Sequence, residues 1–114
     1  MIKLVLLIKR KASLSFEEFR QHYETTHAPL AVATLPHLRK YCRNYLEAFP
    51  GQDAPLFDCV TEFWFDDAEG LAATMKLTRS PEGQVLAKDE ERFMDRASMR
   101  TYIAHETATA FKGA

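Results

Sequence analysis

The sequence predicts an α+β domain on the split βαβ, ferredoxin-like plan, and three observations predict it. Four apolar runs are too short or too strictly alternating for helices: residues 2–10, 37–49, 56–65 and 98–111. Helix-start signals follow the first and third of these runs and not the second. The resulting order, strand, helix, strand, strand, helix, strand, is the split βαβ arrangement. Right-handed crossovers then place the first and third strands in the middle of an antiparallel sheet, with helices on one face.

The first strand is IKLVLLIKR, residues 2–10, a leucine-rich and β-branched run that reads as a buried central strand. Ser15 precedes FEEFRQHYETTHA with Glu18 three residues on, a capping-box signature. Phe16, Phe19, Tyr23, Thr26 or His27, and Leu30 then recur at helical spacing on one face. Pro36 opens HLRKYCRNYLEAF, which alternates at period two and reads as the second strand, with Tyr41 and Tyr45 opposite Leu38, Cys42 and Leu46. LFDCVTEFWF is the strongest strand signal in the chain. Phe57, Cys59, Thr61, Phe63 and Phe65 share its more apolar face, assigned to the helices, leaving Asp58, Val60, Glu62 and Trp64 on the other. Asp66 or Asp67 caps a short helix over AEGLAATMKL, and Ser80 with Pro81 starts another over residues 79–94. SMRTYIAHETATAF alternates again and closes the sheet.

With 114 residues the chain forms a single domain over 1–114, large enough for a hydrophobic core. Its 46% hydrophobic and 27% charged residues belong to an ordinary globular protein. A net charge of −1, with both signs mixed along the chain, advertises no surface for nucleic acid. The run LVLLI is too short for a membrane span or a leader, so a cytoplasmic protein with reduced Cys42 and Cys59 is expected.

Helices cover only one sheet face, yet the strands carry large side chains on both. An aromatic sheet face left in water would be an apolar patch of a kind monomers avoid. The second face is therefore expected to meet a second copy across a two-fold axis, enclosing a space lined by Asp58, Glu62 and Trp64.

Two residues stand out for chemistry. Pro29 cannot bond the Thr25 carbonyl and disfavours helical geometry at Ala28, so the helix is expected to end or kink near His27. The negative end of the helix dipole would there raise the His27 pKa. The structural alternative is a capping histidine. His22 lies five residues earlier, about 140° away on a regular helix, so the two rings would not share a metal ion. It reads as a surface partner of Glu18, and His37 and His105 as edge or surface residues. Glu62, a carboxylate midway along a strand, needs a partner or a proton if buried. It is either an acid–base group or half of an interfacial salt bridge, for instance with Arg43 or Arg100 on a neighbouring strand; Asp58 is nearer solvent. No metal-ligand spacing, phosphate loop or dinucleotide fingerprint is present, so any catalysis rests on acid–base groups in an apolar pocket or on a cofactor caught between subunits.

Together IKLVLLIKRK, SFEEFRQHYETTHAPL, EFWFDD and SPEG resemble the EthD family of dimeric α+β barrel proteins from about Ile2 to Glu106. That family is named for a gene cluster degrading ethyl tert-butyl ether. The resemblance implies a ferredoxin-like protomer paired across its sheets. It also implies action on aromatic polyketides or lactones as a cyclase, decarboxylase, isomerase or cofactor-free oxygenase; wider relatives bind haem. His27 is the functional residue carried over, while Glu24 stands where relatives commonly have tryptophan. The resulting expectation is a homodimer holding a small apolar or aromatic molecule between sheet and helices, without a cofactor. His27 would move a proton, Glu62 would assist, and Tyr23, Tyr41, Asp58 and Trp64 would line the site. A non-catalytic ligand-binding or accessory protein is the alternative, and a haem-binding protein the third reading.

Overall fold

A computed structural model describes residues 1–113. The elements are β1 (Ile2–Ile8), α1 (Phe16–His22), a π-helical turn (Tyr23–His27), α2 (Ala28–Thr34), β2 (Lys40–Tyr45), β3 (Cys59–Phe65), α3 (Ala68–Thr78), a 3-10 turn (Pro81–Gly83), α4 (Gln84–Phe93), a second 3-10 turn (Arg96–Ser98) and β4 (Arg100–Ala104). The sheet is antiparallel throughout, in the order β2-β3-β1-β4, so the predicted α+β, ferredoxin-like arrangement is the observed one. Among the described residues no helix is long and apolar enough to cross a membrane.

The capping signals do what their chemistry dictates. Ser15 Oγ accepts from the Glu18 amide at 3.1 Å while Glu18 Oε1 accepts from the Ser15 amide at 2.9 Å. Asp67 Oδ1 accepts from Gly70 N at 2.9 Å and starts α3. Ser80 takes the expected N-cap position before Pro81, but of a 3-10 turn and without a capping bond: its hydroxyl donates back to the Leu77 carbonyl at 2.6 Å. That tight turn depends on Gly83, where an added Cβ would sit 2.2 Å from the Leu77 carbonyl oxygen and 2.7 Å from Thr78 Cα. Both contacts are backbone and cannot swing away. Gly83→Ala is therefore expected to cost about 2 kcal/mol through overpacking, read as a lower urea midpoint with an unchanged slope.

β4 is shorter than the alternation suggested because Lys3 pairs with Ala104, and residues beyond have almost no β1 left to pair with. On β3, Cys59, Thr61 and Phe65 are buried under the helices, the face expected of them, while Val60, Glu62 and Trp64 take the open face. On β2, Tyr41 and Tyr45 pair with Phe63 and Cys59 and turn toward the helices, so the open face carries Lys40, Cys42 and Asn44 instead. Its large aromatics on the strands are Trp64 and the half-exposed Tyr102. The core between sheet and helices centres on Ile8, Phe19, Tyr23, Phe65 and Phe93, all at most 1% exposed.

Pro29 does not end the helix. The chain runs on to Thr34, and the strain is taken up by the π turn, in which the Ala28 amide bonds the Tyr23 carbonyl five residues back. The wider turn places Pro29 in the first turn of a fresh α-helix, where a missing amide proton costs nothing.

Candidate functional site

The π turn decides where the two histidines point. Residues five apart diverge by about 140° on an α-helix but stack in register where hydrogen bonds run from i to i+5. His22 and His27 therefore face the same way, contrary to the regular-helix expectation, and converge on one carboxylate. Asp89, on α4, is 1% exposed. It accepts from His27 Nδ1 at 2.8 Å and lies 3.0 and 3.1 Å from His22 Nε2. Arg92 Nη1 adds a longer contact at 3.4 Å from the solvent side. Phe93 packs beneath both imidazoles, with centroids 4.7 and 4.9 Å away.

His27 is 3% exposed and stands mid-helix, not at a negative helix end. Burial pushes its pKa below the ordinary imidazole value, against the opposing pull of Asp89. This reverses the direction expected from a terminal dipole. Burial works against the Asp89 charge as well, but the hydrogen bonds from His27 and His22 outweigh it and hold its pKa below the usual carboxylate range. At neutral pH the pair is thus a neutral imidazole donating Nδ1–H to a carboxylate. That bond fixes the tautomer and leaves a lone pair on Nε2.

Nε2 looks into a cavity of about 300 Å3 between the sheet and the helices. Its walls include Leu4, Leu35, Phe63, Phe65, Leu86 and Met99. Its polar lining comes from His27, Glu90, Arg79, Arg96 and the threonines Thr74, Thr78 and Thr101. Glu90 Oε2 stands 3.9 Å from His27 Nε2, and its other oxygen accepts from Arg96 Nε at 3.1 Å. Burial raises the Glu90 pKa, with Arg96 opposing. Two adjacent residues of α4 thus flank one imidazole, with one carboxyl group on each nitrogen.

Of the residues singled out in the sequence, His27 alone lines this cavity. Tyr23 and Tyr41 lie on the correct side of the sheet but are committed elsewhere. Tyr41 OH donates to Tyr23 OH at 3.1 Å, Tyr23 OH meets Thr61 Oγ1 at 2.7 Å, and Phe63 stacks on Tyr41 between them and the space. Burial drives both phenols above their ordinary pKa. Glu62 and Trp64 are on the open sheet face, separated from His27 by the sheet itself. The partner of Glu62 is neither Arg43 nor Arg100 but Lys3, at 2.7 Å, which also holds Glu106 at 2.9 Å. Lys3 and Lys40 flank the Trp64 ring at 4.8 and 5.4 Å. Asp58 ties the end of β1, accepting from the Arg10 amide at 2.7 Å. Arg43 pairs with Glu24.

Asp89, Glu90 and Arg96 were not anticipated. One signal was available: on α4, Leu86 and Phe93 mark an apolar stripe, and Asp89 and Glu90 fall inside it at helical spacing. Charged residues there require partners, which the pattern does not name.

The EthD domain family matches residues 11–97, most of the chain. The protein belongs to the EthD family. An ethyl tert-butyl ether D family protein from Bacillus halodurans is 28% identical, with a TM-score of 0.72 over 94% of this chain and 99% of that one. A dimeric protein of ferredoxin-like fold from Bacteroides fragilis is 15% identical, with a TM-score of 0.60 over 92% and 95% of the two chains. A Nitrosomonas europaea protein, described as a candidate antibiotic biosynthesis monooxygenase, is 11% identical, with a TM-score of 0.60 over 95% and 100%. Similarity at these last two levels shows the fold alone. No curated protein matches this chain.

Proposed function

We propose that this EthD protein binds a small, largely apolar or aromatic molecule in the 300 Å3 cavity and moves a proton on it with His27. One observation carries the reading: the hydrogen bond from His27 Nδ1 to buried Asp89 holds the ring with Nε2 toward the cavity as a base. Asp89 is the positioning residue, and the apolar walls exclude water from the transfer. Cyclase, isomerase or lyase chemistry needs nothing more than such a transfer. A cofactor-free oxygenase would begin with the same step, by forming a substrate carbanion. The dimeric ferredoxin-like relative supports pairing of two copies through the open face bearing Glu62, Trp64 and Tyr102, which would cover the Lys3 ion cluster.

A thermal-shift screen of phenolic, polyketide-like and lactone ligands tests this. Stabilisation of the wild type should be weakened in His27→Ala and in His27→Gln, whose amide keeps a donor for Asp89. Conversion of any hit should be lost in both. The depth of His27 favours a second reading, a non-catalytic binding protein with a structural histidine. Under it both variants melt earlier while ligand affinity stays unchanged, and the wild type converts no ligand. That result, or the absence of any stabilising ligand, removes the proton-transfer reading.

A further inference from the structure

The 3.9 Å gap between His27 Nε2 and Glu90 Oε2 is too long for a direct hydrogen bond and lies at the cavity wall. Atoms that flank the gap from the cavity side would touch both groups. A ketone fits that geometry, because its carbonyl oxygen and its α-carbon are two bonds apart and can address the carboxyl group and the imidazole together. We infer that Glu90 is a second catalytic residue, a general acid paired with His27, and that the cavity acts on enolisable ketones with an apolar body. This rests on the reading of His27 as a base.

The step balances without any other reactant. His27 Nε2 takes a proton from the α-carbon, the C–H electron pair becomes the C=C bond, and the carbonyl oxygen takes the Glu90 proton. The products are a neutral enol, an imidazolium held by Asp89 and a carboxylate held by Arg96. Return of the imidazolium proton to the same carbon, on either face, and of the enol proton to Glu90, gives back the ketone or its epimer at that carbon. The surroundings suit the two roles. Glu90 sits between burial, which favours its protonated form, and Arg96, which receives its charge once the proton has left. Asp89 is on the other side of the ring and faces both histidines.

2-Tetralone, an apolar ring ketone with acidic α-protons, is a direct probe. Its deuterium uptake from D2O, followed by proton NMR, should be faster with the wild-type protein than in buffer and should fall to background in His27→Ala. Glu90→Gln should bind 2-tetralone within a few-fold of wild type yet exchange about 10²-fold more slowly, and should lose the decline in rate that accompanies deprotonation of Glu90 as pH rises. Glu90→Asp, which keeps a carboxyl group, should recover part of the rate and guards against a folding defect. Glu69→Gln, exposed on α3, should exchange as wild type does. Exchange in Glu90→Gln within two-fold of wild type, with His27 still required, removes Glu90 and spares the base. Failure of the wild type to bind 2-tetralone or to speed its exchange, while other ligands still depend on His27, removes the ketone assignment only. Exchange that survives His27→Ala removes the underlying reading.

Discussion

Asp89→Ala is expected to destabilise the fold by about 3 kcal/mol, because it leaves His27 and His22 facing an empty space at the centre of the domain. Three contacts disappear, but they are not equal. The His27 bond at 2.8 Å joins two side chains of at most 4% exposure, the His22 ring is a quarter exposed, and Arg92 is largely in solvent. The cost should therefore lie mainly in the His27 bond. Asp89→Asn keeps one acceptor and should lose about half as much, while placing an amide donor where an imidazole also donates. Urea denaturation at pH 7.5 measures both.

Acid should expose the same pair. The folded pKa of His27 lies below its ordinary value of about 6.5, so the unfolded chain binds this proton more readily. Stability is therefore complete above that value, falls as pH drops through it, and stops falling from this cause once the folded protein is protonated too. Asp89, also depressed, adds a further loss as pH falls through the range below its ordinary 3.8. Without Asp89 the main influence raising the His27 pKa is gone. The loss that begins near 6.5 in Asp89→Ala should then continue to lower pH than in wild type.

The fold was legible because its signals are local and repeat. Period-two alternation over 56–65, the Ser15–Glu18 capping box and the Asp67 cap each act within a few residues, and the structure uses all three. The face of β2 was not legible, since alternation alone gives two answers and only pairing of Tyr41 with Phe63 chooses between them. The site was half legible. Pro29 singles out His27 in the sequence, but a helix that is regular up to its end would leave that residue at a terminus. A single π turn keeps the helix going, re-aims His22, and moves His27 from a polar terminus into the core. Its effect on pKa changes sign for that reason alone: burial replaces the dipole as the larger influence.

Partners far apart in the chain explain the rest. Asp89 lies 62 residues from His27, and Lys3 lies 59 from Glu62, so neither pairing has a local signature. The Glu62 case shows how a correct premise misleads. A mid-strand carboxylate does need a partner, but the central position of β1 brings Lys3 beside it. That ion pair belongs to the open face and the proposed subunit contact, whereas the Asp89–His27 pair belongs to the cavity. The sheet keeps the two charged systems apart, and a variant in one should leave the other's readout unchanged.

Phe93→Ala is expected to be the costliest single substitution, at about 4 kcal/mol. The ring is fully buried and meets Phe19 at 5.6 Å, Tyr23 at 5.2 Å and both histidines within 4.9 Å. Its removal takes away an aromatic transfer energy and leaves a void bounded by a helix, a π turn and the sheet, three elements unable to collapse together. Phe93→Leu refills most of that volume and should lose only about 1.5 kcal/mol. The pair of variants separates packing from polar positioning. In Phe93→Leu the Asp89 contacts remain, so the acid-dependent loss of stability should level off at the same pH as in wild type although the whole curve is lower. A shift in that end point, read from urea midpoints as pH falls from 7.5, would mean that the aromatic floor, more than the carboxylate, sets how readily His27 takes a proton.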